Sequence, residues 1–340
     1  MSFVFLNATK PELVNELTLK GHKSYWYYFN YAKKKQFQYI KVFIKLLFLF
    51  IKIKPDVVQT NLFDDSLPAL YAAKLAQVKK RVITKQDTGY HIKYTPHYIK
   101  YDKFNNKNAT HIIPVSKETQ ELILKYEKPD INKVKLIHHA VNEFFFEQYD
   151  ENIILEIKRK YHLENKKVIG MVARYIESKG YKNAIEAAKY IVASNPDVIF
   201  KGVGWGDQES ELISLINKYD LANNFVLTGK IDYLLMPSLY KCFDIYLHAA
   251  DYEPFGFVIA EAMFSKIPII STKVGAARDV LVHKESAYIL ESNQPHEIIK
   301  NLEGMLTIDT KPMVEKSYSL AKKYFAKKVM WSNYKDIFLS

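Results

Sequence analysis

The chain has 340 residues, of which 48% are hydrophobic and 25% charged; this is the composition of a globular protein with room for two domain cores, and it excludes a disordered or fibrous chain. A single cysteine, Cys242, excludes an internal disulfide framework and fits a reducing compartment. The net charge of +12 calls for an anionic partner, but the lysines are scattered and no zinc-finger or helix-turn-helix signature accompanies them. Nucleic acid therefore ranks behind an anionic membrane surface and behind simple compositional bias.

No repeat or cleavable signal is visible, because Lys10 and Pro11 interrupt the first apolar run, and the chain reads as cytoplasmic. Residues 2–7 read as a strand, residues 11–17 as a helix closed by Gly21, and residues 25–29 as a second strand. Residues 25–54 are dense in aromatics and lysines, and the apolar core at 46–51 is far too short to span a bilayer. With Lys33, Lys34, Lys35, Lys41, Lys45, Lys52 and Lys54 around it, this segment suits an interfacial helix on anionic lipid. The other reading is an ordinary helix with its apolar face inward. Residues 53–61 read as a loop and buried strand, and 66–77 as the crossover helix. Residues 81–84 are the next strand, ending at Gln86-Asp87-Thr88-Gly89. Residues 110–116 form another strand with Ser116 as helix N-cap, and residues 134–137 one more. His138 and His139 follow. Adjacent side chains of an extended chain point apart and no acidic or Cys cluster accompanies them, so no metal site is expected. Residues 143–150 read as a linker, which gives a first domain of residues 1–147 and a second of residues 148–323.

The second domain opens with a helix at 153–161 and a strand at 167–172. Arg174 and Lys179 then frame a loop before the helix at 183–192, setting two cations at a helix-entry anion site. A strand at 198–200 leads into Gly202-Val203-Gly204-Trp205-Gly206. As a dinucleotide fingerprint this fails, since the third Gly is misplaced and no acidic residue closes the unit. Residues 224–229 supply a further strand. Between strands at 243–247 and 267–272 lies Glu253-Pro254-Phe255-Gly256, then a helix from about Phe257 that carries Glu261 one turn in. Two carboxylates here cannot neutralise a phosphate; they suit hydroxyls, because a carboxylate accepts paired hydrogen bonds from the vicinal diols of ribose and sugars. The plainer reading is a solvated loop acid and a first-turn acid favoured by the helix dipole. Residues 317–338 are an amphipathic helical stretch.

The run Glu253-Pro254-Phe255-Gly256, with Glu261 after seven intervening residues, then Ala262-Met263, Pro268-Ile269-Ile270-Ser271-Thr272 and Val274-Gly275, closely resembles the signature of the retaining GT-B glycosyltransferases of family 4. The resemblance implies an α/β fold of two Rossmann-like domains facing across a cleft, with a terminal segment, 324–340, crossing back to the first domain. It implies that Glu253 contacts the transferred sugar and Glu261 the ribose of the nucleotide, and that Arg174 and Lys179 hold the donor diphosphate and stabilise it as it leaves. It further implies that Phe255, Gly256 and Phe257 belong to the donor loop, that Gly204 admits the nucleotide by close backbone approach, and that Gly229 lies beside the base. The chain departs from the family pattern in places. Asn7-Ala8-Thr9-Lys10 replaces a Gly-rich first loop, Gln86 stands where a His is usual, Ala249-Ala250 replaces Pro-Ser, Lys266 replaces a Gly, and Asp279 closes a changed Gly-Gly-x-x-Glu pattern. Gln86, Asp87 and His91 are the candidate acceptor-side residues.

The expected function is a retaining hexosyltransferase that moves a sugar from a UDP- or GDP-linked donor to a glycan or lipid-linked acceptor, in bacterial-type surface polysaccharide or lipopolysaccharide synthesis. Asp251-Tyr252-Glu253 is the nearest approach to a D-x-D metal motif, so neither a metal nor a further cofactor is expected. A catalytically impaired scaffold or partner subunit is the first alternative, suggested by Gln86 and the missing Gly loop and opposed by the Glu253, Glu261, Arg174 and Lys179 constellation. A GT-B sugar-nucleotide epimerase or phosphorylase is the second.

Overall fold

The computed structural model describes residues 1–339 except Lys34 and Thr88. Lys34 of the basic segment, Thr88 of the loop after Gln86, and Ser340 at the end of the expected crossing segment lie outside the described residues. The chain forms two compact units. One comprises residues 1–115 and 119–136 with the residues from 337 onward; the other comprises residues 116–118 and 137–336. The chain thus changes unit after Leu136 rather than at 147, and only its last few residues group with the first unit.

In the first unit, β1 (Ser2–Asn7) and β2 (Lys23–Tyr28) pair in parallel, and β3 (Val57–Thr60), β4 (Lys80–Lys85) and β5 (His111–Pro114) form a second parallel sheet in that order. Parallel neighbours need crossovers. These are supplied by α1 (Glu12–Leu19), α2 (Gln36–Ile53), α3 (Phe63–Leu75), α4 (Tyr90–Tyr94) and α5 (Ile99–Asn108), with α6 (Lys117–Leu122) following β5. Val42, Leu46 and Phe50 of α2 pack on Ala69, Ala72 and Ala73 of α3. The alanines leave room for the larger side chains opposite, which lets the two helices approach closely. Residues 134–137 make only a bridge, Ile112 to Val134, in place of the expected strand. The sequence reading leaves α4 and α5 undetected for a physical reason. The buried face of α5 is Asp102, Asn105, Asn106 and Asn108, so its inward face carries no apolar period.

The second unit holds six parallel strands: β6 (Lys167–Val172), β7 (Val198–Val203), β8 (Phe225–Leu227), β9 (Ile245–His248), β10 (Ile269–Thr272) and β11 (Tyr288–Leu290), in the order β11-β10-β9-β6-β7-β8. Its helices are α7 (Glu143–Glu147), α8 (Glu151–Lys160), α9 (Tyr181–Ser194), α10 (Glu209–Lys218), α11 (Met236–Tyr240), α12 (Phe257–Phe264), α13 (Gly275–Val280), α14 (Pro295–Leu306), α15 (Lys311–Tyr324) and α16 (Lys327–Leu339). The expected linker is therefore partly helical. Phe146 is buried within α7, and Asp150 caps α8 by accepting from the Asn152 amide at 2.8 Å. The expected single terminal helix is two, broken at Phe325, whose carbonyl accepts from the Val141 amide at 3.0 Å. The Val329 amide, four residues on, donates to the Ala326 carbonyl at 3.0 Å instead, so the helical ladder is interrupted at Phe325.

Candidate active site

In the six-stranded sheet the chain leaves β6 toward β7 and β8 on one side, then returns to lay β9, β10 and β11 on the other. The strand order reverses between β6 and β9, and in an open parallel sheet that is where the loops diverge and a crevice forms at the carboxyl ends. All six strands run the same way, so the loops carrying Arg174, Lys179, Gly204, Gly229 and Glu253 share one rim. They come from β6, β7, β8 and β9, four adjacent strands.

At the switch point the Lys179 ammonium donates to Glu253 Oε2 at 2.7 Å and to the Tyr252 carbonyl at 3.1 Å. Both side chains are largely withdrawn from solvent, at 11% and 17% exposure, so the attraction is screened less than at an open surface. Gly180 makes this approach possible. Its φ is +72°, and a Cβ there would lie 2.0 Å from the Ala249 carbonyl oxygen, at the end of β9. The two loops are also tied by the Asp251 amide donating to the Ser178 carbonyl at 3.0 Å. Lys179 is read from sequence as a diphosphate ligand; here two of its three donor directions are taken by the Glu253 loop, and one is left over. Arg174 is exposed and makes no ion pair among the described residues.

His248, the last residue of β9, was not singled out by the sequence reading. It is buried, with Nδ1 3.2 Å from the Tyr246 hydroxyl and Nε2 3.8 Å from Glu253 Oε2. Burial outweighs the nearby carboxylate and holds its pKa down to about 4, so the imidazole is neutral beside the Lys179–Glu253 pair. A histidine inside a short apolar run, directly before two alanines, was the available signal.

Glu261 lies on α12, whose N-cap Gly256 has φ +81°. The Tyr240 hydroxyl donates to its Oε2 at 2.8 Å. Burial nevertheless pushes its pKa from 4.5 up to about 7, the Tyr240 hydrogen bond offsetting only part of the shift. A carboxyl raised in the folded state costs nothing below pH 4.5 and reduces stability progressively as pH rises toward 7. Glu261→Gln, which keeps the shape and removes the charge, should therefore raise stability at pH 8 by about 3 kcal/mol and leave it unchanged at pH 4. Paired thermal melts at the two pH values check this; an equal shift at both would show that charge is not the cause.

Phe255 is buried, its ring edge-on to Phe257 at 5.1 Å and to Phe325 at 5.3 Å, while its carbonyl accepts from the Ala276 amide at 2.6 Å. Its side chain thus anchors the loop from within. Phe257 is exposed and stacks on His139, the ring centroids 5.0 Å apart. His138 turns the other way, placing Nε2 2.8 Å from Asp279 Oδ2. No group of three or more metal-capable side chains occurs among the described residues. Gly204 and Gly229, ends of neighbouring strands, meet directly: the Gly204 amide donates to the Gly229 carbonyl at 3.1 Å. A Cβ at Gly204 would stand 1.8 Å from the Ala173 oxygen, so only glycine fits where the β6 and β7 loops touch. Beside Gly229 a cavity of about 350 Å³ opens between Thr228, Lys230 and Asp232 on one wall and Glu156, Lys160 and Tyr161 on the other.

The first unit has its own cavity, of about 120 Å³, at the carboxyl end of β4. Gln86, Asp87 and His91 all line it, so the structure brings these three together. Asp87 also holds the start of α4, accepting from the Tyr90 amide at 3.0 Å. The floor is a charged network that the sequence did not reveal. Lys85 donates to Asp102 at 2.9 Å and pairs with Glu127 at 2.8 Å, and His91 Nδ1 lies 2.6 Å from the other Asp102 oxygen. Burial alone would lower the Lys85 pKa, yet the two carboxylates carry it above its usual value. Despite burial, the hydrogen bond with His91 and the Lys85 ammonium hold the Asp102 pKa below its usual value.

Comparison with known proteins agrees with this arrangement. The family model described as glycosyl transferases group 1 matches residues 153–323, half of the chain. The capsular polysaccharide biosynthesis glycosyltransferase CapM of Staphylococcus aureus is 27% identical over 285 residues, covering 79% of this chain and 72% of that one. The uncharacterized glycosyltransferase MJ1069 of Methanocaldococcus jannaschii is 25% identical over 312 residues, 87% of this chain and 78% of that one. Among solved structures, Anabaena Alr3699/HepE in complex with UDP superposes with a TM-score of 0.83 at 17% identity, over 99% of both chains, and shares the GT-B fold class. With the rim residues of its second unit falling inside the matched span, the chain belongs to the glycosyl transferases group 1 family and is a glycosyltransferase.

Proposed function

We propose that the protein is a retaining, family 4 enzyme that transfers a sugar from a nucleotide-sugar donor, UDP-linked in the first instance and otherwise GDP-linked, to a glycan or lipid-linked acceptor of a surface polysaccharide, at the face of a membrane. The observation that carries the reading is the Lys179–Glu253 pair at the strand-order switch, with Arg174 exposed on the same rim. The UDP bound to the Anabaena protein and the capsular role of the Staphylococcus relative support the choice of donor and pathway class.

On this reading Glu253, oriented by Lys179, accepts hydrogen bonds from hydroxyls of the transferred sugar. Glu261 takes the ribose diol, whose donors favour the ionised carboxylate. Arg174, the remaining Lys179 donor and the amides at the start of α12 face the diphosphate. The C1–O bond to phosphate breaks, the acceptor oxygen bonds to C1 on the same face, and the acceptor proton passes to the departing phosphate oxygen. The charge that develops on the leaving group is met by cations and N–H groups, so no divalent ion or further cofactor is required in this scheme. The cavity of the first unit, with Gln86, Asp87 and His91, is the proposed acceptor site.

Release of nucleoside diphosphate from UDP-, GDP- and ADP-sugars, with membrane lipid as acceptor and with or without EDTA, tests the proposal. Turnover of one donor unaffected by EDTA is expected. Absence of turnover with retained nucleotide binding would favour a scaffold instead, and turnover abolished by EDTA would remove the metal-independent scheme. Arg174→Ala should weaken nucleoside diphosphate binding by roughly tenfold or more, the loss of one charge-assisted contact, as read by calorimetry. Unchanged affinity would take Arg174 out of the phosphate site.

A further inference from the structure

The exposed side of α2 carries an apolar stripe that the fold does not use. Val42, Leu46, Leu49 and Phe50 bury the inner face of this helix. On the opposite side Phe37, Ile40, Ile44, Phe48 and Ile51 are exposed, Phe37 to 72% and Phe48 to 68%. At 3.6 residues per turn these five fall within about 80° of arc, directly opposite the core face. Lys41, Lys45 and Lys52 are exposed along one border of the stripe.

Charge is divided between the units in the same sense. Residues 1–136 contain 24 of the 49 lysines and arginines but only 11 of the 37 acidic residues, a net of +13, while the rest of the chain carries −1. The basic excess of the protein therefore belongs to the part that bears α2.

We propose that α2 is a membrane-docking helix that lies flat on an anionic bilayer, its five apolar side chains among the acyl chains and Lys41, Lys45 and Lys52 against the lipid phosphates. At 18 residues with lysines along it the helix does not cross the bilayer, and no described helix is long and apolar enough to do so. A second copy is the poorer occupant, because pairing through the stripe would set two units of like, strongly positive charge against one another. Lys35 is not counted, since Asp64 holds it at 2.9 Å. The inference fixes the membrane element of the proposed function to one helix and is independent of its donor chemistry.

The test is flotation with phosphatidylcholine vesicles, with and without phosphatidylglycerol, at low and high salt. Binding is expected only to the phosphatidylglycerol vesicles, weakened by salt. The double variant Ile44→Ser, Phe48→Ser should lose at least about tenfold in partitioning, and Lys41→Glu, Lys45→Glu, Lys52→Glu about a hundredfold or more. The serine variant should melt as the parent does, because Ile44 and Phe48 lie off the core face; the lysine variant loses the contact of Lys45 Nζ with the Tyr27 ring, 5.2 Å to its centroid, and should melt only slightly lower. Indole emission of Phe48→Trp should move to the blue on binding. Absence of flotation, binding that ignores both sets of substitutions, or self-association through the stripe without lipid would each overturn the proposal. Nucleoside diphosphate affinity measured on the same variants should be unchanged. Failure to bind nucleotide at all would count against the donor site and leave the vesicle result standing.

Discussion

Glu253→Gln is expected to lower sugar transfer by about a thousandfold while changing nucleoside diphosphate affinity less than about threefold. The amide retains an oxygen to accept from Lys179, so the loop keeps its place, and only the carboxylate charge is lost, the charge that the proposed function sets against the sugar. Glu253→Ala removes both. The Lys179 ammonium, 11% exposed, would then be left with the Tyr252 carbonyl alone and with His248, a neutral imidazole, nearby. An ion withdrawn from water without its partner costs several kcal/mol, so the Ala variant should also melt lower than the Gln variant. Transfer within tenfold of the parent in Glu253→Gln would remove Glu253 from the reaction, and equal melting of the two variants would show that the ion pair carries no stability. Single-turnover assays with calorimetric nucleotide binding separate these outcomes.

Gly180→Ala is expected to damage both the stability of the second unit and sugar transfer. Gly180 and Gly21 share nearly the same conformation, at φ +72° and +81°, but nothing lies within 4 Å of a Cβ at Gly21, whereas at Gly180 the Ala249 carbonyl oxygen would be 2.0 Å away. Gly21→Ala should cost only the left-handed strain, about 1 kcal/mol. Gly180→Ala adds an overlap of the new methyl with the Ala249 backbone, which no rotamer relieves. The loop must lift off β9 and carry Lys179 away from Glu253, so a loss of more than about 3 kcal/mol and of at least about a hundredfold in transfer is expected. Thermal melts of the two variants side by side decide it. Equal losses would mean that conformation, not contact, sets the need for glycine, and a stable but inactive Gly180→Ala would place the effect wholly in the position of Lys179.

How much was legible beforehand differs between the two units. In the second, β6 was read to the residue and α12 to its first turn, because long apolar runs broken by Gly and Pro leave little choice of element. In the first, α5 was missed and the segment at 134–137 overcalled. An inward face of Asp and Asn hides a helix, and a short apolar run reads as a strand whether or not a partner strand is long enough to pair with it.

The sequence by itself determined the alternation of strands and helices, the spacing of Glu253 and Glu261, the loop cations Arg174 and Lys179, and the apolar, lysine-rich character of the segment that became α2. These are local properties, fixed by composition and period within a few turns of chain. Only the tertiary structure decided that β6 stands between β7 and β9. That order converts a separation of 74 residues between Lys179 and Glu253 into a contact of 2.7 Å. Only packing decided that Lys85, Asp102, Glu127 and His91 share one buried network, that Glu261 is raised toward neutrality, and that the second apolar face of α2 is left in solvent. Each of these depends on which surface the chain turns inward, a choice made by the sum of distant contacts.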